Sequence, residues 1–113
     1  MADLGKQILT TFQKSLLEDI AVNKIQAVTT RTRARDYFDL MLCLNRLNWS
    51  SEEITQAYRS KFEIKLPPES LATAYTNVQS ASDPPIFMGK VNWEEVEGFF
   101  LSKAIELKNQ IIK

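Results

Sequence analysis

Three short polar signatures, each standing ahead of apolar residues at helical spacing, commit most of this chain to α-helix. Ser15 with Glu18, Ser50 with Glu53 and Asn92 with Glu95 each place an oxygen-bearing side chain three residues before an acid. In that spacing the first side chain accepts from an N–H of the opening turn, and the acid reaches back to the cap. Two donors that a helix end leaves bare are thereby satisfied. Leu16, Leu17, Ile20, Ala21, Ile25 and Val28 then predict a helix over 16–30. Ile54, Ala57, Tyr58 and Phe62 form one stripe after Ser50. Trp93, Val96, Phe99, Phe100, Leu107 and Ile111 form another after Asn92.

Two further helices come from other signals. Tyr37, Phe38, Leu40, Met41, Leu42, Leu44 and Leu47 wrap most of the circumference of a helix predicted over 34–48. Such all-round apolarity marks the central, most buried helix. Pro67-Pro68 stops what precedes it and opens a fourth helix with Leu71, Ala74, Tyr75 and Val78 facing inward. Thr29-Thr30-Arg31-Thr32 reads as a turn or a frayed end, and Ser80 to Gly89 as a loop. Gln7 to Phe12 is rich in strand-favouring types and stands as an orphan strand or a loosely helical start. The expected fold is all-α: one domain over 1–113, about five helices in a small bundle, with at most one short N-terminal strand.

Composition narrows the chemistry. Fourteen Lys and Arg balance fourteen Asp and Glu, so no global basic field draws the chain to nucleic acid or to an anionic membrane. The absence of histidine removes imidazole bases, Ser-His or Cys-His dyads and His-ligated metals. Cys43 is the sole cysteine and forms no internal disulfide, which suits a reducing, cytoplasmic setting. The longest apolar run, Leu40 to Leu44, is five residues, far short of the ~18 needed to span a membrane. The opening Met1 to Lys6 lacks the basic-then-apolar order of a signal peptide.

The polar residues that do not fit a bland pattern lie between 17 and 40. Lys24 falls on or beside the apolar stripe of its own helix, so it must snorkel to water or meet an anion. Arg31 projects from the same side if that helix persists. Asp36 and Asp39 share a face at the head of the central helix, where the backbone dipole favours negative charge. Arg35 and Asp39 stand at i,i+4, in ion-pair reach. Two readings follow. In the plain one, Lys24 snorkels, Arg35 pairs with Asp39, Asp36 assists the helix start, and Arg31 and Arg33 are solvated. In the sharper one, Lys24 and Arg31 hold phosphates while Asp36 or Asp39 orients them, acts as a base or helps hold a metal ion. Arg31, Arg33 and Arg35 together allow a third reading, contact with an RNA backbone. The Trp93, Phe99 and Phe100 stripe carries no interleaved basic residues and reads as core, not as a base-stacking platform.

The run Leu17-Glu18-Asp19-Ile20-Ala21-Val22-Asn23-Lys24-Ile25-Gln26-Ala27, followed by Arg31-Thr32-Arg33-Ala34-Arg35-Asp36-Tyr37-Phe38-Asp39-Leu40, resembles the AbiEii/AbiGii nucleotidyltransferase toxin family. Members carry an acidic-apolar lead-in, a helical lysine, a short gap, then Arg-Asp, an aromatic pair and Asp-Leu. Val91-Asn92-Trp93 opening a Phe-rich helix is similar to the family's C-terminal end. The resemblance implies a bacterial toxin paired with an antitoxin, often linked to phage defence by abortive infection. It also implies nucleotidyl transfer from a nucleoside triphosphate, with magnesium, onto an acceptor such as RNA. Lys24, with Arg31 and Arg35, is then expected at the nucleotide phosphates, and Asp36 and Asp39 in catalytic roles. The family's N-terminal half carries a Gly-Ser turn and metal-binding carboxylates, and no Gly-Ser pair occurs here. The chain is therefore expected to be the C-terminal helical part, inactive by itself, meeting magnesium and triphosphate only alongside the other half. Expected partners are that half, an antitoxin, a second copy of the chain or an RNA acceptor. A helical interaction module without catalysis is the alternative.

Overall fold

The computed structural model describes residues 10–81 and 92–112, the side chain of Ile112 excepted. Five helices run in order: α1 (Thr11–Thr30), α2 (Ala34–Leu47), α3 (Ser51–Phe62), α4 (Pro68–Thr76) and α5 (Trp93–Ile112). A 3-10 turn, Asn77–Ser80, extends α4. No strand occurs among the described residues, and the fold is all-α as the sequence predicts.

Two of the helix starts differ from expectation. Ser15 is not a cap; it lies inside α1. The box forms upstream, where Thr10 Oγ1 accepts from the Gln13 amide at 3.1 Å and the Gln13 side chain accepts from the Thr10 amide at 3.1 Å. Thr-x-x-Gln satisfies the same donors as Ser-x-x-Glu, and a helix nucleated there propagates through Ser15 at little cost. Thr11 and Phe12 are thus helical rather than strand, while Gln7 to Leu9 lie outside the described residues. At α5 the Asn92 side chain accepts from the Glu94 amide at 2.9 Å, so the cap engages the second helical residue rather than Glu95. The Ser50–Glu53 box forms as predicted, with both reciprocal bonds present.

The apolar face of α1 is also rotated from the predicted stripe. Ala21, Val22, Ile25 and Val28 are buried. Leu16 and Ile20 join Phe12 on the outward side, at 52%, 39% and 76% exposure respectively. Helical residues lie 3.6 to the turn, so a run this rich in apolar types offers two faces, and packing selects one. Elsewhere the inward residues are those the periodicity marks: Tyr37, Leu40, Met41 and Leu44 on α2, Ile54 on α3, Leu71, Ala74 and Tyr75 on α4, and Val96, Phe100 and Leu107 on α5. Two residues depart from this: Leu42, expected in the apolar girdle of α2, is 44% exposed, and Ile111, expected on the inner side of α5, is 37% exposed at its end.

α1 packs along α2, and α4 packs along α5. The two pairs meet at Phe100, which is fully buried. Its ring lies edge-on to Tyr37 at 5.2 Å and 74°, and tilted against Tyr75 at 5.2 Å and 50°. Such aromatic pairs add ~0.5–1.5 kcal/mol each beyond the area they bury. The Tyr37 hydroxyl donates to the Ala74 carbonyl at 2.7 Å, a buried bond that ties α2 to α4. The Tyr75 hydroxyl, equally buried, has no hydrogen-bond partner among the described residues. No helix among the described residues is long and apolar enough to cross a membrane.

Candidate functional site

The antiparallel turn from α1 into α2 builds the polar cluster. α1 ends at Arg31, whose backbone is extended (φ −152°), and Arg33 stands at the α2 N-cap without a side-chain capping bond. Thr29 and Thr30 stay helical, both hydroxyls bonded back to the Gln26 carbonyl. The reversal carries the first turn of α2 back alongside the last turns of α1. Asp36 lies in that first turn, where the positive helix end favours it.

Lys24 meets both predicted carboxylates. Its Nζ stands 3.2 Å from Asp36 Oδ1 and 3.1 Å from Asp39 Oδ2. Arg31 Nε donates to Asp36 Oδ2 at 2.8 Å, and its terminal nitrogen reaches Asp36 Oδ1 at 3.4 Å. Arg35 Nε lies 3.9 Å from Asp39 Oδ2 across one helical turn. All five site residues therefore belong to one network of three cations and two carboxylates. Asp36 is its hub and its buried member, with a side chain 4% exposed, against 31% for Asp39.

Burial alone would raise the Asp36 pKa. The hydrogen bonds and charges of Arg31 and Lys24 outweigh it, and the carboxyl is held below its ordinary value. Lys24 shows the mirror case. Its partial burial disfavours the ammonium, but Asp39 and Asp36 together raise its pKa above the ordinary value. Both groups are thus fixed in their charged forms around neutral pH. Burial, with Asp36 nearby, pushes the adjacent Tyr37 hydroxyl up to about 12.

A model of the family described as nucleotidyl transferase AbiEii toxin, type IV toxin–antitoxin system, matches residues 15–101. The chain belongs to the AbiEii family. No curated protein and no solved structure matches it. The AbiEii match takes in α1 from Ser15 to the middle of α5, and so contains the whole network.

Magnesium, which the family's chemistry implies, is not accommodated by these residues. No group of three potential ligands that could hold a metal ion occurs among the described residues. Asp36 already accepts from two cations, and Asp39 faces Lys24 and Arg35. Divalent-metal chemistry at phosphoryl groups needs several carboxylates free to converge.

The five residues singled out by the sequence share one ion-pair network, with Arg31 in a relation that neither reading of the sequence includes. Arg31 appeared either as a solvated side chain or as a phosphate ligand. It instead grips Asp36 while remaining 53% exposed. Its helix-stripe spacing from Lys24 was the signal that both could reach one carboxylate. The ion pair of Lys61 with Asp19, which links α3 to α1, went unforeseen because residues 42 apart in sequence carry no spacing signal.

Proposed function

We propose that this AbiEii-family chain forms the substrate-side helical body of a nucleotidyltransferase toxin in a toxin–antitoxin or phage-defence system. Lys24 meets the phosphates of a nucleoside triphosphate, and Arg31 and Arg35 extend the positive edge of the same site. The observation that carries this reading is the convergence of Lys24 on Asp36 and Asp39 within 3.2 Å, at the motif that resembles the family's.

The chain's own residues divide the work by burial. Asp36 stays ionised around neutral pH, bonded to both cations, and holds Lys24 and Arg31 in place. Asp39 is the more open carboxylate, and its release of Lys24 frees that ammonium for an incoming phosphate. With both aspartates ionised, the network keeps one unmatched positive charge, which suits an anion without making a generally basic surface. By itself this chain binds triphosphate weakly and transfers nothing.

Calorimetry with ATP and magnesium tests the reading, comparing wild type with Lys24→Ala. Wild type gives the larger saturable heat. Equal heats for the two proteins, at any strength, remove Lys24 from the phosphates.

A second reading rests on the outward face of α1. Phe12, Leu16 and Ile20 stand exposed at i, i+4 and i+8, an apolar strip of the kind that marks a protein interface. The chain is then a helical interaction module that docks an antitoxin or a catalytic body, or pairs with itself. Self-pairing predicts mass that rises with concentration in light scattering. A monomer at every concentration counts against it.

A further inference from the structure

Besides the face that packs into the bundle, α5 carries a second one. Val96, Phe100, Ala104 and Leu107 are buried, while on the other side Gly98 and Ser102 are exposed and Ile105 is 59% exposed. Half-buried Leu101 borders them. Gly98, Leu101 and Ile105 recur at i, i+3 and i+7, so they form one outward strip. A glycine inside a helix is less stable than alanine there, and its use is to let another backbone come close. Within the described chain nothing does so: a Cβ placed on Gly98 meets no atom within 4 Å beyond its own stretch of helix. Ile105 is the converse, a branched side chain standing out from the surface. A recess and an apolar knob thus lie on one strip, two turns apart.

The charges on this side of α5 are ordered to match. Glu94 and Glu95 occupy its first turn, Lys108 lies toward its far end, and all three are exposed. Consider a second copy of α5 laid antiparallel on the first. The register that sets Ile105 over Gly98 also sets Lys108 opposite Glu95, because each lies three residues further out. Glu94 stands one residue beyond, within reach of the same ammonium, and Leu101 faces Ser102 at the centre. Every contact then occurs twice, as a two-fold axis requires. A parallel copy would instead set acid against acid and lysine against lysine, which opposes association.

We propose that the outward strip of α5 joins two copies of this chain, antiparallel, with Ile105 of each copy seated over Gly98 of the other. A single helix crossing buries less than a standard interface of ~1,600 Å², so the dimer is weak and exchanging, with a Kd on the order of 0.1 mM. The contact uses no residue of the Lys24–Asp36 network and none of Phe12, Leu16 and Ile20. It therefore rests on neither reading given above.

Sedimentation of the full chain across roughly 0.01–1 mM, on both sides of that Kd, is expected to show a monomer–dimer equilibrium. Gly98→Gln fills the recess with a better helix former. It should raise the melting temperature of the dilute chain yet weaken the dimer about tenfold or more. Lys108→Glu should weaken it about fivefold, and adding Glu95→Lys should recover most of that loss. Orientation is read by cross-linking, with the buried Cys43 left in place. Under mild oxidation Ser102→Cys, near the symmetry axis, gives a disulfide-linked dimer, whereas Lys108→Cys does not, since its two copies lie at opposite ends. A Lys108→Cys dimer would mean parallel helices and overturns the proposal. A monomer at every concentration also overturns it, as does a dimer that Gly98→Gln leaves intact. If Phe12→Ser dissolves that resistant dimer, the contact lies on α1 instead.

Discussion

Replacing Asp36 by Asn isolates the charge at the centre of the network while keeping its shape. The carboxylate is 4% exposed and receives Lys24 at 3.2 Å and Arg31 at 2.8 and 3.4 Å. Asparagine keeps one acceptor oxygen but turns an N–H₂ toward a cation. Hydrogen bonds to charged groups contribute ~1.5–3 kcal/mol, and neutral ones ~0.5–1.5. Severing a fully buried ion pair costs ~3–5 kcal/mol, because the abandoned charge stays dry. Here the abandoned cations regain water: Lys24 is already 26% exposed and Arg31 53%. The expected loss is therefore about 2–3 kcal/mol, below the fully buried case. For a domain of this size that lowers the melting temperature by about 8–15 °C at neutral pH. Asp39→Asn is the internal control, since a carboxylate 31% exposed behaves as a near-surface partner worth ~0–1 kcal/mol. Thermal unfolding followed by circular dichroism reads both variants. Equal small losses for Asp36→Asn and Asp39→Asn would refute the reasoning, since burial would then not separate the two acids.

Other outcomes follow from the same structure. Because the folded Asp36 pKa lies below its unfolded value, its contribution is complete above the unfolded carboxylate pKa of ~3.9 and is lost as pH falls through the folded value. The stability gap between wild type and Asp36→Asn should hold from neutral pH to about 5 and close below about 4, as acid titrations of unfolding will report. For Lys24 the sign is reversed: its folded pKa is raised, so its contribution is complete below ~10.4 and is lost as pH rises beyond that through the folded value. Phe100→Ala, at the meeting point of the two helix pairs, should cost ~3–5 kcal/mol in chemical denaturation. Tyr37→Phe should lower stability by about 1 kcal/mol through its lost bond to Ala74, where Tyr75→Phe does not. Ser50→Ala should cost ~1 kcal/mol by removing the α3 cap.

Helix content, the central α2 and the inward residues of α4 were legible because each rests on local chemistry: a cap, a proline, a period. α1 shows where such reasoning stops. Its apolar residues allow two buried faces, and only tertiary packing selects Ala21–Val28 over Leu16 and Ile20. Its start was misplaced because Thr10–Gln13 and Ser15–Glu18 are chemically equivalent boxes, and pattern alone does not rank them. The Lys24, Asp36 and Asp39 convergence was readable from helix-face arithmetic plus a short turn. The unsatisfied Tyr75 hydroxyl was not, since a tyrosine on an apolar stripe looks the same whether or not its hydroxyl finds a partner.

Side-chain nitrogen spectra of Lys24 and Arg31, recorded while ATP is added, test most directly whether this network receives phosphate. The Lys24 ammonium and Arg31 Nε signals should shift together with saturation, and Asp36→Asn should weaken the response of both. Triphosphate binding that leaves both signals in place would contradict the account, because the anion would then be held elsewhere on the molecule.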